Sequence, residues 1–397
     1  MDNDKKRRCK KWGNVGFICL IAVFLLAGLV RTVCFPKDIN YYENRYSNKV
    51  IAPSVGSFAD SSFQNSLEDA LSDQIPAAQR LKKAYNQTMS FFSNLWVTPL
   101  LENNTTTYVN FKNGIKIFGG YYVYDAYTLD SVKSAFQQKA ANYNQLFRQY
   151  PDIAFYAYYI EKDTDINFET GAGIHADEYL FSLLELDGSH TQTFEIDNFN
   201  DFANHYYKTD HHWKHTGSYE AYTEIATLLG CEDGILPKGD EVLIAESYKG
   251  SKASTAGSDL ITEPFYAYQF EFPAFKQITR GQNTDYGAQE STLAAAPAKS
   301  ISYGGFYGGD DGEVIFDTGK TELENVLIIG DSFDNAILKL LATHFNRTHS
   351  IDLRNHEHDK GSTFNFKEYA HENDIDKVLF IGGIDFYSSN TFELEKK

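Results

Sequence analysis

Asn325-Val326-Leu327-Ile328-Ile329-Gly330-Asp331-Ser332-Phe333 is the stretch on which the fold turns. Residues 325–329 form an apolar run of strand length, as expected of a strand buried on both faces. Gly330 to Phe333 reads as a tight turn, and Asp334–His344 has helical spacing. Strand, turn and helix at this spacing are the unit of a parallel α/β sheet. The same alternation extends outward in both directions. On the C-terminal side, Ser350–Leu353 predicts a short strand and Lys377–Ile381 another. On the N-terminal side, Ile153–Ile160 (IAFYAYYI) predicts a buried strand. It follows a helix over Ser131–Tyr150 whose apolar face is Val132, Phe136, Ala140, Tyr143 and Phe147, and which stops before Pro151. Helices are expected at Asp177–Leu186 and at Gly217–Leu229, ended by Gly230, and Ile115–Tyr124 is strand-like. Residues 240–320 are rich in Gly, Ser and aromatics, with a strand at Tyr266–Phe272, and predict a long insertion with β content. The expected architecture is α/β with a mainly parallel sheet.

The 397 residues are 42% hydrophobic and 23% charged, with 27 Tyr, 30 Phe and 9 Pro, a composition that buries a core rather than staying disordered. The net charge of −18 argues against nucleic acid as the main partner, because phosphate binding needs concentrated Lys and Arg. That charge is unevenly spread. Lys5, Lys6, Arg7, Arg8, Lys10 and Lys11 precede the apolar run Val15–Val30, which is bounded by Trp12 and Arg31. With its flanks the run reaches the about 20 residues that span a bilayer, and the basic side is expected in the cytoplasm. A cleaved signal peptide is the competing reading; the length of the run and the lack of a small-x-small cleavage site favour an uncleaved anchor. The expected organisation is a cytoplasmic tip at 1–12, a transmembrane anchor at 13–33, and a juxtamembrane and helical region at 34–110 packing on the ectodomain. The α/β domain follows at 111–397, outside the cell membrane. Removing residues 1–31 leaves 29 basic against 52 acidic residues, so the exported body carries −23. Cys34 and Cys231 are its cysteines, so no disulfide framework holds the main body.

Two motifs can carry chemistry. Ser332 lies between a buried strand and a helix start, where backbone N–H groups and the helix dipole favour an oxyanion. The plain alternative is that Asp331 or Ser332 only caps the helix. Thr209-Asp210-His211-His212-Trp213 supplies an imidazole, and in an extended segment Asp210 and His212 share a side, so the carboxylate can orient the ring. Structural histidines and a capping aspartate are the alternative. His205, Asp210, His211, His212 and His215 also raise a metal site, but the i,i+4 pair His211 and His215 aligns only on a helix, and Thr216-Gly217 reads as the helix start.

Asp210-His211-His212-Trp213 together with Gly330-Asp331-Ser332 resembles the DHHW family of bacterial exported proteins, which look like relatives of the alginate O-acetyltransferases of the SGNH-hydrolase type. Glu43-Asn44-Arg45, Asp73-Gln74-Ile75-Pro76, Ile351-Asp352-Leu353-Arg354 and the Asp376–Ile381 strand fit the same pattern. The resemblance implies a three-layer α/β/α SGNH-hydrolase-like domain with Ser332 as nucleophile, His212 as base and Asp210 as its orienting acid. The Asp-x-His element precedes the serine, the reverse of ordinary SGNH hydrolases, and their oxyanion-donating glycine and asparagine have no evident counterpart. The Ser332 N–H is the first donor candidate, with Asn335 and the Tyr303–Gly309 loop after it. Arg354 is expected either to bind substrate or to hold a carboxylate. Trp213 and Tyr307 are candidate sugar-binding rings, with packing and loop closure as the alternatives.

The implied function is a membrane-anchored, serine-dependent O-acetyltransferase acting on a cell-surface or exported polysaccharide, with no cofactor or metal expected. A membrane-embedded acyl-delivery protein is the expected partner, and the acidic body favours a neutral or basic glycan. A carbohydrate esterase with the same triad and a non-catalytic glycan-binding or envelope-assembly protein are the alternatives. A metal-dependent hydrolase built on the histidine cluster is a third.

Overall fold

Alternating side chains place the strand Asn325–Ile329 between two cores. In the computed structural model, which describes residues 2–35, 39–40, 45–74, 84–85, 88, 106–279, 281–286, 296–389 and 394, Val326 and Ile328 join one hydrophobic cluster. Leu327 and Ile329 join another. The first cluster takes its helical residues from Phe199–His205, His215–Leu228 and Leu338–Ala342. The second takes them from Leu129–Gln149, Ala176–Leu183, Phe366–Glu372 and Ile384–Ser388. Helices therefore cover both faces of the sheet, which is why its central strands read as unbroken apolar runs.

The sheet has eight strands: β1 Ala154–Ile160, β2 Thr191–Phe194, β3 Phe275–Thr279, β4 Gln282–Tyr286, β5 Glu313–Asp317, β6 Asn325–Ile329, β7 Arg347–Ile351 and β8 Lys377–Gly382. Their order is β4-β3-β5-β7-β6-β8-β1-β2. From β7 to β2 every pairing is parallel. The strands β4, β3 and β5 add to the β7 edge antiparallel. The expectation of a mainly parallel sheet thus holds for the five strands from β7 to β2, while the 240–320 segment extends it as a mixed sheet. The rest of that segment pairs Glu241–Tyr248 with Glu263–Tyr268 and Ala298–Ile301 in a separate three-stranded sheet. The strand expected at Tyr266–Phe272 is the Glu263–Tyr268 member of it.

Other differences have local causes. Ile115–Tyr124 is not one strand but two, Ile115–Phe118 and Tyr121–Val123, because Gly119 and Gly120 both take positive φ (56° and 81°) and reverse the chain. The segment after Ser332 is a 3₁₀ turn, Asp334–Ala336, followed by the short helix Leu338–Ala342. The strand read at Ser350–Leu353 runs earlier, over Arg347–Ile351.

The chain divides into two compact units, residues 1–93 and 94–397. The first holds the helix Asp2–Cys34, the short helix Val55–Ala59 capped by Ser54, and the helix Ser62–Gln74. Among the described residues no helix is long and apolar enough to cross a membrane. The first helix, Asp2–Cys34, carries the apolar run Val15–Val30. Phe17 and Leu20 there are 64% and 69% exposed. Glu43-Asn44, Ile75-Pro76 and most of 75–105 lie outside the described residues.

Candidate active site

Tyr206 and Trp213 pair as an antiparallel bridge, so the residues between them form a tight loop with Asp210 near its tip. The loop is pinned from the 240–320 segment. The Glu263 carboxylate accepts from the backbone of Lys208 (3.0 Å) and Thr209 (2.9 Å), and Gly250 N–H donates to Thr209 Oγ1 at 3.1 Å. A Cβ on Gly250 would fall 2.3 Å from Asp210 Cβ, so this approach requires glycine.

Asp210 and His212 are 2% and 7% exposed. His212 Nδ1 lies 3.1 Å from Asp210 Oδ1, and His212 Nε2 lies 2.8 Å from Ser332 Oγ. With the carboxylate taking Nδ1–H, Nε2 is left to accept the serine hydroxyl proton. The three residues singled out from two distant motifs therefore form one hydrogen-bonded chain. Ser332 is half-buried at the carboxyl end of β6, and its N–H has no hydrogen-bond partner among the described residues. Gly330 earns its place through space rather than a left-handed turn: a Cβ there would meet Asp334 Oδ2 at 2.7 Å and Ile381 Cγ2 at 2.8 Å.

Asp210 is the hub. Ser251 Oγ donates to its Oδ1 at 2.7 Å, the His211 N–H donates to the same atom at 2.6 Å, and the Tyr248 hydroxyl donates to Oδ2. Burial opposes its charge, but the facing His212 ring and the contacts with His211 hold its carboxyl well below the usual range. Tyr248 is driven well above the ordinary phenol value by burial and by Asp210, and stays a donor. Tyr303 lies flat on the His212 ring, 3.9 Å centre to centre and 5° from parallel. Phe333 wedges between His212 (5.2 Å) and Trp213 (5.3 Å). Tyr248, Ser251 and Glu263 carry no sequence signal, whereas Tyr303 opens the Gly-rich loop already singled out; all four act from the insertion.

The remaining candidates fall elsewhere. Trp213 is fully buried, so its ring is not available as a sugar platform; it packs on Phe333 and Phe194 and backs the histidine loop. Tyr307 is half-buried with its ring against Tyr303, Phe306 and Phe265, contacts that fit the loop-closure alternative. The Tyr303–Gly309 loop instead folds over the base. Arg354 forks onto Asp352 (Nε to Oδ1 2.9 Å, Nη2 to Oδ2 2.6 Å) and reaches Asp310 at 3.4 Å, so carboxylate holding describes its contacts. Asn335 donates to Asp310 Oδ1 at 3.2 Å.

The histidine cluster disperses. His215 is the first residue of its helix and bonds Glu241 at 2.7 Å, while His205 faces Asp201 and Glu220. Asp210, His211 and His212 each offer a ligand atom within 4.8 Å of the others, a spacing a metal ion could use, but Asp210 Oδ1 is already the shared hydrogen-bond acceptor. A cavity of about 900 Å³ lined by Cys231, Phe272, Lys320 and His344 lies where the chain enters β6 and β7, at the strand ends opposite Ser332.

The sequence model described as DHHW protein matches residues 139–351, more than half of the chain and inclusive of both motifs. The chain belongs to the DHHW family. This DHHW protein is similar to PatB1 of Bacillus cereus, at 20% identity and a TM-score of 0.55, over 73% of this chain and 100% of that one. A DHHW family protein from Eubacterium siraeum DSM 15702 matches at 16% identity and a TM-score of 0.50, over 72% and 96%. The O-acetyltransferase domain of Pseudomonas putida AlgJ is more remote, at 9% and 0.36, over 71% and 92%. For PatB1 and the Eubacterium siraeum protein the likeness, at these identities, is one of fold. No curated protein matches the chain significantly.

Proposed function

We propose that this DHHW protein is a serine-dependent acyltransferase, an O-acetyltransferase whose acceptor is a hydroxyl of a cell-surface or exported polysaccharide. The observation that carries it is the continuous chain Ser332 Oγ, His212, Asp210. Ser332 Oγ attacks the donor carbonyl carbon while its proton passes to His212 Nε2, and the carbonyl π electrons move onto oxygen next to the open Ser332 N–H. Collapse expels the donor's leaving group, which takes the proton from His212. The acceptor hydroxyl then gives His212 its proton as it attacks the acyl carbon, and Ser332 leaves with that proton. Asp210 stays ionised and steadies the imidazolium between steps. No cofactor enters this scheme. The fold likeness to PatB1, solved also with a sulfonyl adduct, supports a site of this fold that meets sulfonyl reagents. The anchor at 13–33, with its basic tip inside, belongs to the same reading: it holds the domain at the outer face of the cell membrane, within reach of a membrane-embedded acyl-delivery protein.

Ser332→Ala and His212→Ala are each expected to lower turnover of a chromogenic acetate ester by several orders of magnitude, because the members act as a unit. A sulfonyl fluoride should label the wild type and not Ser332→Ala. Undiminished turnover in either variant sinks the assignment. Water as the final acceptor would make the same residues an esterase; incubating donor and glycan with the enzyme and weighing the glycan by mass spectrometry separates the two.

A further inference from the structure

Two imidazoles lie side by side in the site, and the mechanism above uses only one. The rings of His211 and His212 are 3.8 Å apart centre to centre. Each sets its Nδ1 against the same carboxylate oxygen, Asp210 Oδ1, at 3.0 and 3.1 Å. Nδ1 and Nε2 occupy opposite flanks of an imidazole, so both rings carry Nε2 away from Asp210. That of His212 meets Ser332, and that of His211 has no hydrogen-bond partner among the described residues. The His211 side chain is 31% exposed, beside a base that is 8% exposed.

The hydrogen bonds also fix which nitrogen of His211 holds the proton. Ser251 has one hydroxyl hydrogen and directs it to Asp210 Oδ1, which can only accept. Ser251 Oγ must then accept from His211 Nδ1–H, at 2.5 Å. The outward Nε2 is left as a bare lone pair. Burial, and after it the neighbouring His212, push the His211 pKa down to about 4, so the ring is neutral under ordinary conditions. A neutral, outward acceptor is matched by an O–H or N–H and rejected by an anionic oxygen.

We propose that His211 Nε2 accepts a hydrogen bond from the hydroxyl adjacent to the reacting one, so that the acceptor this site selects is a vicinal diol, as on a sugar ring. The proposal rests on the acyl-transfer reading above. Neighbouring hydroxyls of a ring sit within hydrogen-bond distance of each other, a spacing comparable to that of the two imidazoles. One O–H gives its proton to His212 as its oxygen attacks the acyl carbon. The other keeps its proton and is held on His211, fixing the angle of attack. An acceptor lacking the second hydroxyl leaves the lone pair unmatched once water is displaced.

The test uses the full chain, p-nitrophenyl acetate as donor, and an equimolar mixture of cis-1,2- and trans-1,4-cyclohexanediol, which carry equal numbers of hydroxyls. Acetylated products are quantified by chromatography and mass spectrometry. The expected wild-type ratio favours the 1,2-diol by about fivefold, the worth of one ordinary hydrogen bond. In His211→Phe the ratio should fall to near one; a ratio within one sample is unaffected by the overall rate. Should that variant not fold, the wild-type ratio decides alone. A wild-type ratio near one, or a preference that survives His211→Phe, overturns the inference. Absence of any Ser332-dependent release of nitrophenol or acetylated diol overturns the acyl-transfer reading instead.

Discussion

Asp210 is asked to do more than orient a ring. One of its oxygens takes the contacts from Ser251, His211 and His212, and the other takes the Tyr248 hydroxyl. A buried carboxylate supported by that many donors remains charged where burial alone would neutralise it. Tyr248 isolates one part of this support, because it is fully buried against Tyr207 and Phe265 and a phenylalanine would keep the packing. Hydrogen bonds to charged groups are worth about 1.5–3 kcal/mol, so Tyr248→Phe should cut ester turnover by roughly tenfold or more. Steady-state kinetics at saturating donor would show it; unchanged kcat would mean that the phenol only packs.

At the scale of elements, the division of labour is between sheet and insertion. The sheet presents Ser332, while the insertion supplies Tyr248, Ser251, Glu263 and Tyr303 to the histidine loop. The helix Ser251–Ala256 is fastened by an ion pair from Lys252 to Asp163, 2.5 Å long with both side chains all but inaccessible, and Asp163 also accepts from Tyr124 N–H at 2.7 Å. Removing one member strands a buried charge. Lys252→Met should therefore lower the unfolding free energy by about 3–5 kcal/mol, and Lys252→Met with Asp163→Leu should recover part of it, as urea titration would report. This layer is where sequence reading stops. The central strands are legible because burial on both faces leaves continuous apolar runs such as Ile153–Ile160. Asp210, His212 and Ser332 are legible because each sits in a short pattern with its own chemistry. Tyr248 and Ser251 touch Asp210 across 38 and 41 residues, and no local pattern records a contact made at that distance. For Trp213 the sequence left packing and sugar stacking both open, and its full burial fits the packing reading.

Over the whole molecule, charge sets the response to pH. Glu161 is pushed up to about 8 and Asp165 to about 7, both chiefly by burial in the segment leaving β1. Carboxyls whose folded values stand above their ordinary ones hold protons more tightly when folded. Their contribution to stability is full below about pH 4 and is lost as pH rises through 7 to 8. The urea midpoint is accordingly expected to fall between pH 5 and pH 8.5. Glu161→Gln keeps an acceptor for Ile196 N–H and should flatten that fall. An identical slope in the variant would assign the pH response elsewhere, for instance to repulsion within residues 32–397, whose net charge is −23.

The contact between His212 and Ser332 spans 120 residues, and Tyr248, Ser251 and Tyr303, which brace the histidine and its carboxylate, lie between them. A chain made from its N-terminus first completes the loop, then its clamps, and only afterwards the serine. Closing so long a loop is slow relative to forming local structure. The hydroxyl of Ser332 thus has no imidazole beside it until β6 docks in the finished sheet, so the pairing of serine and histidine reports that the whole domain has assembled.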